Sequence, residues 1–160
     1  MQKLVISIQT LLSLVLILVL LGFSSCTTKW KVLPHTYSQG SSSNNDNLVF
    51  DRLVREAQRS GKPIFLDFYT KWCRPCKKMD ETVFKRPDVS LMLNNYFLSY
   101  KVDAEDFDGI GLAQRFNVYG YPTFVYLSPD GEEMDRINGY AKASQLINKS
   151  KSVLKQMDEY

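Results

Sequence analysis

The sequence predicts an α/β domain: a central mixed β-sheet with helices on both faces. Three observations carry that prediction. Ile64 to Tyr69 is a β-branched and aromatic run broken by one aspartate, the pattern of a strand buried on both sides. It leads through Cys73-Arg74-Pro75-Cys76 into Lys77-Lys78-Met79-Asp80-Glu81, made largely of good helix formers. Farther on, two strand-like runs flank Pro129-Asp130-Gly131, a hairpin turn in which glycine supplies the positive φ. The predicted order is α, β, α, β, α, β, β, α, and such an order needs helices over both sheet faces.

Asp46 or Asn47 can cap the first helix, whose apolar positions Phe50, Leu53, Val54 and Ala57 follow the 3.6-residue period. Gly61 and Pro63 end it, and the strand Ile64 to Tyr69 follows. The cysteine helix is expected to continue through Thr82-Val83-Phe84 until Pro87 stops it. Asp88 then caps a short segment, Val89 to Leu93. In the next strand, Phe97, Ser99, Lys101 and Asp103 alternate with Leu98, Tyr100 and Val102. Asp108 and Gly109 precede a helix from Ile110 to Phe116. Tyr121 to Leu127 is a strand, and Glu132 to Asn138 is a polar edge strand returning from the hairpin. The last helix carries Leu146, Ile147, Val153, Leu154 and Met157 on one stripe. A domain of this size buries an adequate core without structural disulfides.

A strand that runs into a helix at Cys-x-x-Cys is the context in which that motif signals redox chemistry. Only a thiolate attacks a disulfide, and a free thiol is mostly protonated at neutral pH. At the first turn of a helix, the Cys73 sulfur meets unpaired backbone N–H groups and the positive end of the dipole. It is therefore expected to be the exposed, attacking sulfur. Lys71, Arg74, Lys77 and Lys78 add positive charge. Cys76, one turn on, can displace a trapped mixed disulfide. Pro75 sacrifices no hydrogen bond in the first turn. Zinc would want four ligands, and the chain offers one further cysteine and one histidine, His35, both outside the domain. No metal is expected. Haem attachment would need histidine where Lys77 stands. A tight disulfide of purely structural purpose would stabilise little, and a non-catalytic binding module would usually lack one of the cysteines. Asp67, a carboxylate inside an apolar strand, should have a raised pKa. From beneath Cys76 it could take that thiol's proton during resolution. A core polar group satisfied by a partner, without kinetic role, is the alternative.

Trp72-Cys73-Arg74-Pro75-Cys76-Lys77 resembles the active-site signature of the thioredoxin superfamily. Asp67, six residues before the first cysteine, matches that family's buried acid. Gly120-Tyr121-Pro122-Thr123 matches the segment carrying its cis-proline, and Gly139 fits the glycine after the last strand. Gly61-Lys62-Pro63 and Glu81-Thr82-Val83-Phe84 most resemble the C-terminal domain of the bacterial transmembrane thiol:disulfide interchange protein and related envelope thioredoxins. The resemblance implies a thioredoxin fold and a protein-disulfide oxidoreductase. No cofactor is needed. It implies that Cys73 attacks and Cys76 resolves, that Arg74 and Pro75 tune the pair, and that Trp72, Tyr121 and Pro122 contact the substrate chain. The family often places a lysine near the buried acid; the matching register here is Ser99, with Lys101 two residues on. Partners would be proteins with disulfides and an upstream thiol electron donor. The kin it most resembles hand electrons to envelope substrates, which favours the reducing direction. A disulfide oxidase or isomerase, or a docking module, stays open.

At 160 residues the chain allows one domain plus appendages, here residues 1–25, 26–46 and 47–160. The net charge of +3 becomes +2 without Lys3, and no lysine-arginine block suggests nucleic acid. Met1-Gln2-Lys3, the apolar run Leu4 to Leu21, and Gly22-Phe23-Ser24-Ser25-Cys26 look like a bacterial lipoprotein signal, with Cys26 as the lipidated residue. An ordinary secretory signal or an uncleaved anchor are the alternatives, since 18 residues span about 27 Å. Each delivers the domain outside the cytoplasm, and the lipoprotein reading places it on the periplasmic side of a membrane, in the cell envelope. With Cys26 under lipid, the remaining cysteines form an even pair. Residues 26–46 form a tether, its second half Ser38 to Asp46 without apolar residues, and about 20 flexible residues reach roughly 25 Å. The domain is expected to act as a monomer.

Overall fold

The computed structural model describes residues 48–159. The expected signal peptide, Cys26, His35, the tether and the caps at Asp46 and Asn47 lie outside the described residues. Among those described, no helix is long and apolar enough to cross a membrane. Helix α1 (Leu48–Ser60) buries Phe50, Leu53 and Ala57 at helical spacing. Gly61, at φ +67°, ends it. Strand β1 (Ile64–Tyr69) leads into the short α2 (Arg74–Lys78), which passes into a π-helical turn at Met79–Val83. Then come α3 (Pro87–Tyr96), β2 (Leu98–Asp103), α4 (Phe107–Arg115), β3 (Thr123–Leu127), β4 (Glu133–Asn138) and α5 (Ala143–Asp158).

The four strands lie in the order β2-β1-β3-β4. β1 is parallel to β2 and antiparallel to β3, and β3 is antiparallel to β4, so the sheet is mixed as expected. The central place of β1 explains its apolar character, and alternate side chains enter two cores. Ile64, Leu66 and Phe68 pack with Phe50 and Leu53 of α1 and Leu112 of α4. Phe65 packs with Met79, Val83 and Phe84, with Leu93 of α3 and with Leu146 and Val153 of α5. Its ring stacks on Phe124 at 5.7 Å. Asp67 shares the face of Phe65 and so lies on the side covered by the cysteine helix. The C-terminal ends of β1 and β2 and the N-terminal end of β3 meet at one edge of the molecule. The cysteine turn, the β2–α4 loop and the approach to β3 converge there.

Several boundaries differ from expectation. Pro87 opens α3 instead of stopping the cysteine helix; Arg86 is its N-cap, and proline in a first turn forfeits no hydrogen bond. The preceding helix ends at Phe84, whose N–H donates to Met79 O at 3.0 Å. Asp88 therefore sits inside the first turn, and α3 runs on past Leu93 to Tyr96. α4 begins at Phe107, capped by the Asp106 side chain, and Asp108 and Gly109 lie within it. Gly109 is there for want of space, not for flexibility: a Cβ would stand 1.8 Å from Asp103 O. Gly109→Ala should therefore push α4 off β2 and cost about 3 kcal/mol, the upper end of overpacking penalties. A thermal midpoint unchanged from wild type would contradict this. Tyr121 and Pro122 precede β3 rather than open it.

Candidate active site

Where β1 ends, the Cys73 N–H donates to Thr70 O at 3.2 Å and turns the chain. Cys73 is the N-cap of α2, with extended backbone, and its sulfur accepts from the Cys76 N–H at 3.1 Å. A sulfur here meets the helix's unpaired donors directly. Pro75 stands in the first turn. Cys73 and Cys76 form a disulfide, with Cα atoms 5.3 Å apart. Cys73 is not the exposed sulfur expected from its place in the motif: it is 2% exposed and Cys76 3%. The bond to Cys76 and the amide hydrogen bond draw that sulfur over the helix tip instead of out into solvent. The charged neighbours Arg74, Lys77 and Lys78 are exposed. Lys71 pairs with buried Asp103 at 3.4 Å.

Asp67 is buried, 2% exposed. Its strand partner is Lys101, whereas Ser99 stands opposite Phe65. The expected register is thus corrected: pairing of β1 with β2 starts at Ile64 and Leu98, which brings Lys101 level with the acid. The Ser99 hydroxyl is buried with no hydrogen-bond partner and does not serve Asp67. Lys101 Nζ lies 3.5 Å from Asp67 Oδ2 and donates to Asp80 Oδ1. It also sits 4.8 Å from the centre of the Tyr69 ring. One cation therefore bridges two carboxylates. Burial pushes the Asp67 carboxyl from 3.8 up to about 7; Lys101 pulls it down, and the Asp80 charge adds to the rise. Asp80 was not singled out from the sequence. Its place four residues after Cys76, about one turn on, was the available signal.

The other predicted site residues meet at the same edge. Trp72 is 66% exposed yet held: its indole N–H donates to Glu105 Oε1 at 2.7 Å, and its ring meets Tyr121 edge-on at 6.1 Å. The Tyr121–Pro122 peptide bond is cis. Tyr121 is half-buried and Pro122 buried. Among the described residues, no group of three or more His, Cys, Asp or Glu is placed to hold a metal ion.

Comparison with known proteins fits this geometry. The profile of the thioredoxin-like domain matches residues 50–154. The chain belongs to the thioredoxin-like family. Among curated relatives of this thioredoxin-like chain, the thiol:disulfide interchange protein DsbD of Campylobacter jejuni (strain RM1221) is 35% identical over 102 residues, 62% of this chain and 18% of that protein. DsbD of Yersinia pestis (strain Pestoides F) is 34% identical over 94 residues, 57% of this chain and 16% of that one. The chain thus aligns to less than a fifth of the curated relatives it matches. Among solved structures, a thioredoxin from Thermus thermophilus superposes with a TM-score of 0.60 at 28% identity, covering 66% of this chain and 83% of that one. The oxidised C-terminal domain of Neisseria meningitidis DsbD gives 0.57 at 22% identity, covering 70% and 98%, a likeness of fold. With paired cysteines at bonding distance, this is a thiol:disulfide oxidoreductase domain of the thioredoxin-like kind.

Proposed function

We propose that this thioredoxin-like domain is a membrane-tethered, extracytoplasmic reductase of protein disulfides, working by dithiol exchange. In the reduced form, the Cys73 thiolate attacks one sulfur of a client disulfide and releases the other as a thiolate. Cys76 then gives its proton to the Asp67 carboxylate and attacks Cys73 Sγ, releasing the client's second thiol. Two electrons pass to the client, and the Cys73–Cys76 disulfide that remains is reduced by an upstream protein dithiol. Trp72, Tyr121 and Pro122 hold the client chain beside the sulfurs. The tether is read from the lipoprotein-type signal of residues 1–25, with Cys26 as the lipidated residue that follows it.

The observation that carries the reading is a disulfide capped by a helix tip on the same side of the sheet as a buried carboxyl that titrates near 7. An acid poised near the working pH is suited to accept a proton in the transition state. Insulin reduction tests it: the full chain should accelerate reduction by a small dithiol, and a rate equal to that of the dithiol alone ends the proposal. The oxidase or isomerase reading is favoured by one observation, that α2 has no acid in its first turn while Arg74, Lys77 and Lys78 are exposed around it. Such charge stabilises the thiolate and makes a disulfide more oxidising. Equilibration with glutathione separates the two. A potential near about −270 mV fits a reductase and one near about −120 mV an oxidase.

A further inference from the structure

Two of the most exposed large side chains of the domain are Phe107 at 80% and Tyr119 at 90%. Neither belongs to the site described above, yet both lie at the sheet edge that carries it. Trp72 links them. Its indole is hydrogen-bonded to Glu105, two residues before Phe107, and its ring touches Tyr121, two residues after Tyr119. Two residues of chain span at most about 7 Å, so Phe107 and Tyr119 stand close along the chain to the two partners of Trp72, and Phe107, Trp72, Tyr121 and Tyr119 form one arc of chain positions. The arc passes beside the disulfide, since Trp72 precedes Cys73. The Tyr119 hydroxyl and Asn117 Oδ1 are hydrogen-bonded at 3.2 Å. Rings fixed in this way lose little freedom on binding. Exposed aromatic rings around a reactive centre are what an interaction surface presents.

The charge beside the arc selects its occupant. Residues 105–108 are Glu105-Asp106-Phe107-Asp108, three acids and no base in the segment that carries Phe107, whereas the bases Lys71 and Arg74 lie on the cysteine turn, with Lys71 paired to Asp103. The Asp106 carboxylate is engaged by the Phe107 N–H and that of Glu105 by the Trp72 indole, so both stay fixed in place. An apolar partner side chain seated on Phe107 would bring its flanking residues against this negative rim, where bases gain and acids lose.

We infer that Phe107 and Tyr119 form an outer client-docking arc for an extended polypeptide segment with a large apolar side chain and a basic one close to its cysteine. The inference rests on the proposed dithiol exchange for its biological setting, and its test is built to be read separately from that chemistry.

The full chain, reduced, is mixed with a small aromatic disulfide, 5,5′-dithiobis(2-nitrobenzoate), and with two peptides whose cysteine carries the same nitrobenzoate leaving group. One peptide has Phe and Lys beside its cysteine, the other Ser and Glu. Cys73→Ser serves as the blank. The wild type should react about tenfold faster with the Phe/Lys peptide, the equivalent of about 1.4 kcal/mol. The double variant Phe107→Ser, Tyr119→Ser should lose that preference and keep its rate with the small disulfide. Both side chains are solvent-exposed, so the fold should tolerate the change. Retained preference in the double variant, or none in the wild type, overturns the arc. A wild-type rate with the small disulfide equal to the blank overturns the exchange chemistry instead. Docking is then read by fluorescence polarisation of the labelled Phe/Lys peptide with serine for cysteine: binding that Phe107→Ser, Tyr119→Ser weakens about tenfold supports the arc, and equal binding overturns it. Wild-type chain that sediments as a dimer, with the double variant monomeric, assigns the rings to a second copy and overturns the client reading.

Discussion

Cys76→Ser is expected to freeze the reaction halfway, with client proteins accumulating as mixed disulfides on Cys73. Once Cys73 has attacked, the only group among the described residues placed to displace the client is the sulfur one turn along α2, whose Cα is 5.3 Å away. Well-oriented intramolecular groups reach effective molarities of about 10⁵ M or more; even roughly 1 M would leave rescue by an external thiol at about 1 mM a thousandfold slower. The mixed species should survive non-reducing electrophoresis and be absent from Cys73→Ser, because that variant lacks the capped sulfur at the helix tip. The opposite pattern, adducts on Cys76 in Cys73→Ser and none in Cys76→Ser, would reverse the roles of the two sulfurs. Equal turnover of Cys76→Ser and wild type would remove dithiol exchange altogether.

Both roles trace to features legible in the sequence because they are local. A helix that begins at a Cys-x-x-Cys after a central strand is fixed by neighbours within a few residues. β1 is readable because, lying between β2 and β3, it must be apolar on both faces, and that makes Asp67 conspicuous. What escaped depends on contacts distant in sequence. Lys101 faces Asp67 only because β1 and β2 begin pairing at Ile64 and Leu98, a register that alternation along one strand cannot fix. Pro87 and Gly109 each carry two meanings: proline stops one helix or opens the next, and glycine breaks a helix or lets it approach a backbone carbonyl. Local composition does not choose between them. The burial of Cys73 reflects the closed ring it shares with Cys76. Phe107 and Tyr119 sit in no apolar period, so only the sheet topology brings them to the edge that carries Trp72.

Asp67→Asn should make the protein more stable and slower at once, and pH separates the two effects. The Asp67 carboxyl titrates at about 7 in the fold, above its ordinary 3.8, chiefly through burial. Between those values the folded chain holds a proton that the unfolded chain has released. Its stability therefore falls as pH rises from about 4 to 7, then stays level. A rise of about three pKa units corresponds to about 4 kcal/mol of penalty above pH 7. Asparagine cannot ionise and escapes that penalty. Lys101 keeps Asp80 as a partner, so the change does not strand a half-buried cation. In urea unfolding, the variant should match wild type near pH 4 and exceed it by up to about 4 kcal/mol at pH 8. Release of client from Cys73 should slow by about a hundredfold or more, the usual worth of a positioned general base. That rate should rise through pH 7 in wild type as Asp67 ionises and lack this rise in the variant. A stability gap constant from pH 4 to 8 would mean that Asp67 is ionised throughout and held by Lys101. A stable variant that releases client at the wild-type rate would leave the acid a structural partner of Lys101 with no part in the chemistry.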